Sequence, residues 1–225
     1  TKYPLMFSDS QIRYFEELPT PFYYYDMSLL RRTLEAMKTA SSRYNYHVHY
    51  ALKANANLPV LQLVREYGMG ADCVSGNEVQ RAIDAGFSAD EVVFAGVGKT
   101  DEEIRLALAH DIFCFNCESI EEITVINALA AEAGRVARIA LRINPNVNAQ
   151  THKYITTGLE ENKFGINQWE FDDVLIALQN ADHIIPIGFH FHIGSQITDL
   201  TVFKNLCTRV NEIQQWFSDR QLHVQ

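Results

Sequence analysis

The strongest constraint on the fold is a regular alternation of short apolar segments with amphipathic helical stretches. Strands that alternate with helices at this spacing form βα units on a parallel sheet. The predicted strands are Tyr46–Ala54, Gly70–Ser75, Glu91–Gly96, Ile112–Cys117, Arg138–Asn144 and Ile185–Ile193. The predicted helices are Ser28–Ser42 with Ser28 as its N-cap, Leu58–Tyr67, Asn77–Ala85, Asp101–Ala109, Ile120–Ala133, Glu170–Gln179 and Leu200–Phe217. A further strand-like segment, Pro21–Asp26, precedes them.

The predicted strands carry one apolar face and one polar or small face. In the first strand Lys53 shares its parity with His47 and His49, and in the sixth His192 shares its parity with His190. An open doubly wound sheet would be apolar on both faces. The asymmetry favours a barrel whose lumen holds chemistry. Lys53 and His192 would then lie near the carboxyl ends of their strands, where such barrels keep their active sites.

The number of strands falls short of a closed barrel. A (β/α)8 barrel needs eight strands in about 250 residues, and this chain of 225 residues supplies six. Residues 218–225 resemble the approach to a seventh strand. The predicted fold is therefore an α/β, TIM-like (β/α)8 barrel interrupted after about six βα units. We expect a fragment, because an open sheet of six strands exposes two unpaired edges.

Composition excludes several classes of function. The net charge of −9 argues against nucleic acid and against an anionic membrane surface as partners. No apolar run reaches the length of a membrane span. The CxxC pair of Cys114 and Cys117 lies in a predicted strand, where residues three apart point to opposite faces, so we expect no metal site there. Four cysteines in a chain of this length indicate a reducing, cytoplasmic location.

Lys53 is the residue with the clearest chemical meaning. It closes a strand made of apolar, aromatic and imidazole side chains, where an ammonium ion is costly. Burial lowers the pKa of a lysine, and a neutral amine can form a Schiff base. The alternative is a lysine that ends a strand and extends its charge to water.

The motifs in their order along the chain resemble those of the pyridoxal-phosphate-dependent decarboxylases built on an alanine-racemase-like barrel. The resemblance runs from about residue 20 to the end of the chain. The Thr-Thr-Gly-Leu…Lys-Phe-Gly segment and Gln196 favour the branch that acts on diaminopimelate. The motifs are Tyr50–Asn57, Gly70–Glu78, Phe94–Asp101, Asn116–Ser119, Leu141–Pro145, Thr151–Gly158, Asn162–Ile166 and His190–Gln196.

The resemblance implies roles for individual residues. Lys53 would be the Schiff-base lysine, His192 the imidazole stacked on the ring of pyridoxal 5′-phosphate, and Ser195 a hydroxyl that holds its phosphate. Asp72 and Arg142 would lie beneath or beside the cofactor. Weaker candidates for the site are Glu78, His190 and Asn55.

The resemblance also implies an activity and an assembly. It implies a homodimer that decarboxylates meso-2,6-diaminopimelate to L-lysine. Residues 27–225 would form part of the cofactor-binding barrel, and residues 1–26 an N-terminal segment whose strand joins a second, β-rich domain that is mostly absent here. The family's phosphate loop, its partner for the pyridine nitrogen and its substrate-binding residues would lie beyond residue 225. We therefore expect the 225-residue chain alone to be inactive.

Several alternatives remain open at this stage. The pairs His47/His49 and His190/His192 could ligate a metal in a barrel hydrolase, or the barrel could be a non-catalytic binding module or an amino-acid racemase. Asp72 and Arg142 could form a purely structural ion pair, and Glu78 could be an ordinary residue of a first helical turn. Gly96-Val-Gly-Lys-Thr100 lacks the first glycine of a phosphate-binding loop.

Overall fold

The computed structural model describes residues 7–146, 164–195 and 197–224, and its strands form one parallel sheet in chain order. Each strand pairs in parallel with the next. The strands are β1 His49–Ala51, β2 Gly70–Cys73, β3 Val92–Phe94, β4 Cys114–Cys117, β5 Ala137–Arg142 and β6 Ile184–His190. The helices are α1 Asp9–Glu16, α2 Met27–Ser42, α3 Leu58–Glu66, α4 Gly76–Asp84, α5 Asp101–His110, α6 Ile120–Glu132, α7 Phe171–Gln179 and α8 Thr201–Ser218.

The turns from strand to helix share one local device. Ser75, Thr100 and Ser119 are the N-caps of α4, α5 and α6, and each accepts a hydrogen bond from a backbone N–H in the first turn. The glutamate three residues later reaches back to a backbone N–H at or just before the cap. Because free N–H groups at a helix start need acceptors, this pattern defines where each helix begins.

The core lies between the sheet and the helices that cover one face of it. Each of α3 to α7 buries a row of aliphatic or aromatic residues there. Near the end of the sheet, the ring of Phe217 lies 4.8 Å from Phe171 and 4.9 Å from Phe189. The opposite face of the sheet, the lumen face, carries both polar and apolar residues.

The structure confirms the parallel α/β barrel architecture with six strands. It also corrects the prediction for the first strand. β1 ends at Ala51, and Leu52–Ala54 forms a 3-10 turn, so Lys53 does not continue the alternation. Leu52 turns into the core and is buried. The apolar pattern of the sequence therefore continues past the end of the strand.

The N-terminal part differs from the prediction in three respects. Helix α1 was not predicted, and residues 22–26 form no strand in the described chain. Helix α2 is capped by Asp26 and not by Ser28, since the Asp26 carboxylate accepts a hydrogen bond from the N–H of Leu29 at 2.9 Å. Within the described residues, no helix combines the length and apolar character that a membrane crossing needs.

Candidate functional site

Polar side chains gather at the carboxyl ends of β1, β2, β5 and β6. Asp72 lies beside Ala51 in the register of β1 and β2, and Arg142 lies beside His190 in the register of β5 and β6. A cavity of about 450 Å³ opens on the lumen face; its polar lining includes His49, Asp72, Asn116 and His190. The sheet thus brings together residues that are up to 141 positions apart in the chain, His49 and His190.

Lys53 lies at this end of the sheet, but it is exposed and not buried as expected. The reason is the early end of β1, which places the lysine on a turn at the rim. Its charge still reaches Asp72, which is half-buried. Burial raises the pKa of Asp72, the Lys53 charge lowers it, and Glu78 raises it. Lys53 therefore interacts with a carboxylate that lines the cavity.

Asn55 shapes the turn that carries Lys53. Its side-chain oxygen accepts a hydrogen bond from the N–H of Asn57 at 2.9 Å, and its backbone carbonyl accepts one from the hydroxyl of Tyr50 at 3.2 Å. Farther along, the Arg81 side chain in α4 donates to the carbonyl of Ala56 at 3.1 Å. These contacts hold the loop after Lys53 against its neighbours.

Arg142 pairs with Glu118, and the alternative of a structural ion pair between Arg142 and Asp72 does not occur in the described residues. One guanidinium nitrogen, Nη1, donates to both carboxylate oxygens of Glu118 at 2.7 Å. The side chains of Arg142 and Glu118 are only 13% and 6% exposed. The guanidinium also lies 5.6 Å from the ring centroid of Phe164. Glu118 and Phe164 therefore hold the guanidinium of Arg142 beside the carboxyl end of β4.

His190 lines the lumen cavity and is half-buried. Its Nδ1 atom is buried, and among the described residues it has no hydrogen-bond partner. Its pKa is lowered to about 4, mainly by burial and in smaller measure by the charges of Arg142, His192 and Lys99. The imidazole is therefore neutral near pH 7.

His192 and Ser195 lie just after β6 and are exposed. Gly194 between them has φ of 109°, which favours glycine and turns the chain at the rim. Gln196, the Thr151–Gly158 motif and the first residues of Asn162–Ile166 lie outside the described residues.

Glu78 has a structural role in its helix. Its Oε2 accepts a hydrogen bond from the N–H of Val74 at 2.8 Å, and its own N–H donates to Ser75. Its position agrees with the alternative that Glu78 is an ordinary residue of a first helical turn. Its role toward a cofactor stays a prediction.

Sequence reasoning missed two charged residues. Glu118 orients Arg142, and Lys99 has a side chain that is 1% exposed. Both were visible only as members of motifs: Glu118 in Asn116–Ser119, and Lys99 in the glycine-rich run that was set aside as an incomplete phosphate loop. Lys99 and its partner Glu122 are 23 residues apart, and Glu118 and its partner Arg142 are 24 residues apart. No local sequence pattern indicates contacts over such separations.

The residues at the rim have the chemistry that pyridoxal phosphate requires. Lys53 supplies an accessible primary amine for its aldehyde, Arg142 supplies a fixed positive charge, and Ser195 supplies an exposed hydroxyl. The buried Nδ1 of His190 lies without a described partner beside the lumen cavity. No group of three or more histidine, cysteine or acidic side chains suited to a metal occurs in the described part of the chain.

Comparison with known proteins identifies a family. The pyridoxal binding domain of the pyridoxal-dependent decarboxylases matches residues 27–221. A diaminopimelate decarboxylase of Bacteroides thetaiotaomicron is 54% identical over 212 residues, which cover 94% of this chain and 55% of that protein. One from Campylobacter jejuni is 43% identical, covering 83% of this chain and 46% of that protein.

Solved structures agree with this assignment. The diaminopimelate decarboxylase of Helicobacter pylori complexed with L-lysine aligns with a TM-score of 0.86 at 38% identity, covering 96% of this chain and 55% of that one. The enzyme of M. jannaschii in complex with L-lysine aligns with a TM-score of 0.88 at 34% identity, covering 96% and 51%. The chain spans about half the length of the relatives it matches.

Proposed function

The chain belongs to the pyridoxal-dependent decarboxylases, within their pyridoxal binding domain, and on that premise we propose that its protein converts meso-2,6-diaminopimelate to L-lysine and CO₂ with pyridoxal 5′-phosphate. The observation that carries the proposal is the arrangement at the carboxyl edge of the sheet. There the accessible amine of Lys53 faces the charge of Asp72, and Arg142 is held by Glu118. The named relatives at 43–54% identity support the choice of substrate.

Each candidate residue has a distinct task in this proposal. Lys53 attaches the cofactor, and Asp72 sets the electrostatic environment of its amine. Arg142 presents a fixed positive charge, His192 packs on the cofactor ring, and Ser195 binds its phosphate. When bound, pyridoxal phosphate supplies the electron sink that makes loss of the carboxylate possible.

The weaker candidates act around these residues. Asn55 holds the Lys53 turn, Glu78 adds negative charge near Asp72, and His190 lines the lumen as a neutral imidazole. Neutrality at His190 avoids placing a further positive charge beside Arg142.

The proposal extends to the assembly. Residues 27–225 form part of the cofactor domain, and residues 1–26 connect to a second, β-rich domain of the complete protein. We propose a homodimer in the cytoplasm, as the resemblance and the four free cysteines suggest.

Covalent labelling tests the proposal directly. The complete protein is mixed with pyridoxal phosphate, its absorbance is scanned, and the adduct is reduced with borohydride before peptide mapping. We expect label on Lys53 in the wild type, none at that position in Lys53→Ala, and unchanged labelling in Lys204→Ala, which removes an exposed lysine of α8. Release of CO₂ from meso-diaminopimelate then identifies the substrate. No label, or label on another lysine only, would contradict the assignment.

A further inference from the structure

Lys99 is a buried lysine that the proposed chemistry does not use. Its side chain is 1% exposed, and its Nζ donates to three acceptors. These are the carbonyl of Gly96 at 2.8 Å, the carbonyl of Asn116 at 2.8 Å and Oε1 of Glu122 at 2.6 Å. An ammonium group has three N–H donors, so this environment satisfies it completely.

The partner of Lys99 continues toward the candidate site. Glu122 binds Lys99 through Oε1, and its Oε2 accepts a hydrogen bond from the N–H of Glu118 at 2.6 Å. The carboxylate of Glu118 in turn holds Nη1 of Arg142 with both oxygens. A continuous path therefore runs from the loop after β3, through the turn after β4, to the end of β5.

This path of buried charged groups is energetically unfavourable if it serves only the stability of the fold. Burying a lysine and a glutamate removes hydration from both, and apolar residues of similar size often stabilise a fold equally well. Helix α5, which begins just after Lys99, is joined to α6 at the surface by Arg105 and Glu132, 3.1 Å apart. What Lys99 adds is a charged donor to Glu122, whose other carboxylate oxygen accepts a hydrogen bond from the N–H of Glu118.

We propose that Lys99 is a positioning residue for the cofactor site, which fixes Glu118 through Glu122 and thereby sets the orientation of Arg142 toward pyridoxal phosphate. The inference rests on the proposed function, because it requires Arg142 to face the cofactor. It predicts that Lys99 influences cofactor affinity through Arg142 alone.

A double-mutant cycle on the complete protein tests this dependence. The dissociation constant of pyridoxal phosphate is measured by absorbance titration in the wild type, Lys99→Met, Arg142→Met and the double variant. We expect each single change to weaken binding by roughly tenfold, as for coupled groups in one network. The double variant should bind no more weakly than Arg142→Met. The control Arg105→Met, which breaks the surface pair between α5 and α6, should bind as the wild type does.

Two results would overturn the inference. Lys99→Met could bind as tightly as the wild type, or it could weaken binding by the same factor with and without Arg142, as a general structural defect would. Circular dichroism checks that each variant folds; if Lys99→Met does not, Glu122→Gln enters the same cycle with the same expectation. A wild type that binds no pyridoxal phosphate would refute the proposed function itself, whereas normal binding with additive effects refutes only the role of Lys99.

Discussion

The lumen holds the imidazole of His190 in its neutral form, and this has a consequence for stability. Burial, with a smaller contribution from nearby positive charges, lowers its pKa from 6.5 to about 4. Between these two values the unfolded chain binds a proton that the folded chain does not, so acid favours unfolding. The contribution is fully present above pH 6.5 and is lost progressively as the pH falls toward 4. A shift of this size corresponds to about 3 kcal/mol.

The variant His190→Gln isolates this effect. We expect its free energy of unfolding, measured by denaturant titration, to fall less steeply than that of the wild type between pH 6.5 and 4. His223→Gln, which removes an exposed histidine, should keep the slope of the wild type. Parallel curves for the wild type and His190→Gln over this range would show that the imidazole is not held neutral.

At the scale of elements, the segment of residues 164–166 packs directly on Arg142. The N–H of Ile166 donates to the carbonyl of Arg142 at 2.8 Å, and Gly165 between Phe164 and Ile166 has φ of 89°. A Cβ atom on Gly165 would lie 3.0 Å from the Arg142 carbonyl oxygen and 3.2 Å from its Cγ. Glycine is thus required both by the backbone angle and by the close approach.

We therefore expect Gly165→Ala to lower the free energy of unfolding by about 1–3 kcal/mol and to weaken binding of pyridoxal phosphate. Gly68→Ala is the matched control, because its φ is 75° but nothing lies within 4 Å of the added Cβ. It should cost stability through the backbone angle and leave cofactor affinity unchanged. If both variants weaken cofactor binding equally, the contact between this segment and Arg142 does not contribute to cofactor binding. Denaturant and cofactor titrations provide both quantities.

The elements also show which features the sequence predicts well. Helix starts at Asp101 and Ile120 are predicted accurately because cap residues and apolar periodicity coincide there. The end of β1 is not, because buried Leu52 extends the apolar pattern into a 3-10 turn. Lys53 was found from its sequence neighbours, whereas the partner of Arg142 depends on which strands lie side by side. Local patterns contain no information on that contact.

At the scale of the whole molecule, the site is assembled from only part of a barrel. The described sheet holds six strands, and the chain spans about half of each matched relative. We expect a polypeptide of these 225 residues alone to release no CO₂ from meso-diaminopimelate above the rate of a buffer blank, while the complete protein does so. Turnover by the shorter polypeptide at rates typical of enzymes, about 1 s⁻¹ or faster, would show that these residues suffice for catalysis.

The two outer strands of the sheet bear on whether this polypeptide self-associates. In the described residues β1 pairs only with β2, and β6 only with β5, so each leaves one edge without a partner. Unpaired edges recruit other chains, and a charged residue on such an edge opposes this. Ile185 in β6 is 50% exposed. We expect the polypeptide to associate with rising concentration, and Ile185→Lys to shift its mass by light scattering toward the monomer value of 25.7 kDa.

Ile176→Lys is the control for a general gain of charge, because Ile176 is 56% exposed but belongs to helix α7 and not to a strand. Both variants add the same charge and remove the same apolar side chain. If association is edge-to-edge pairing, only Ile185→Lys reduces it. If the two variants reduce it equally, exposed apolar surface in general causes the association. In the complete protein, where further strands can pair with these edges, neither variant should change the oligomeric state by this route.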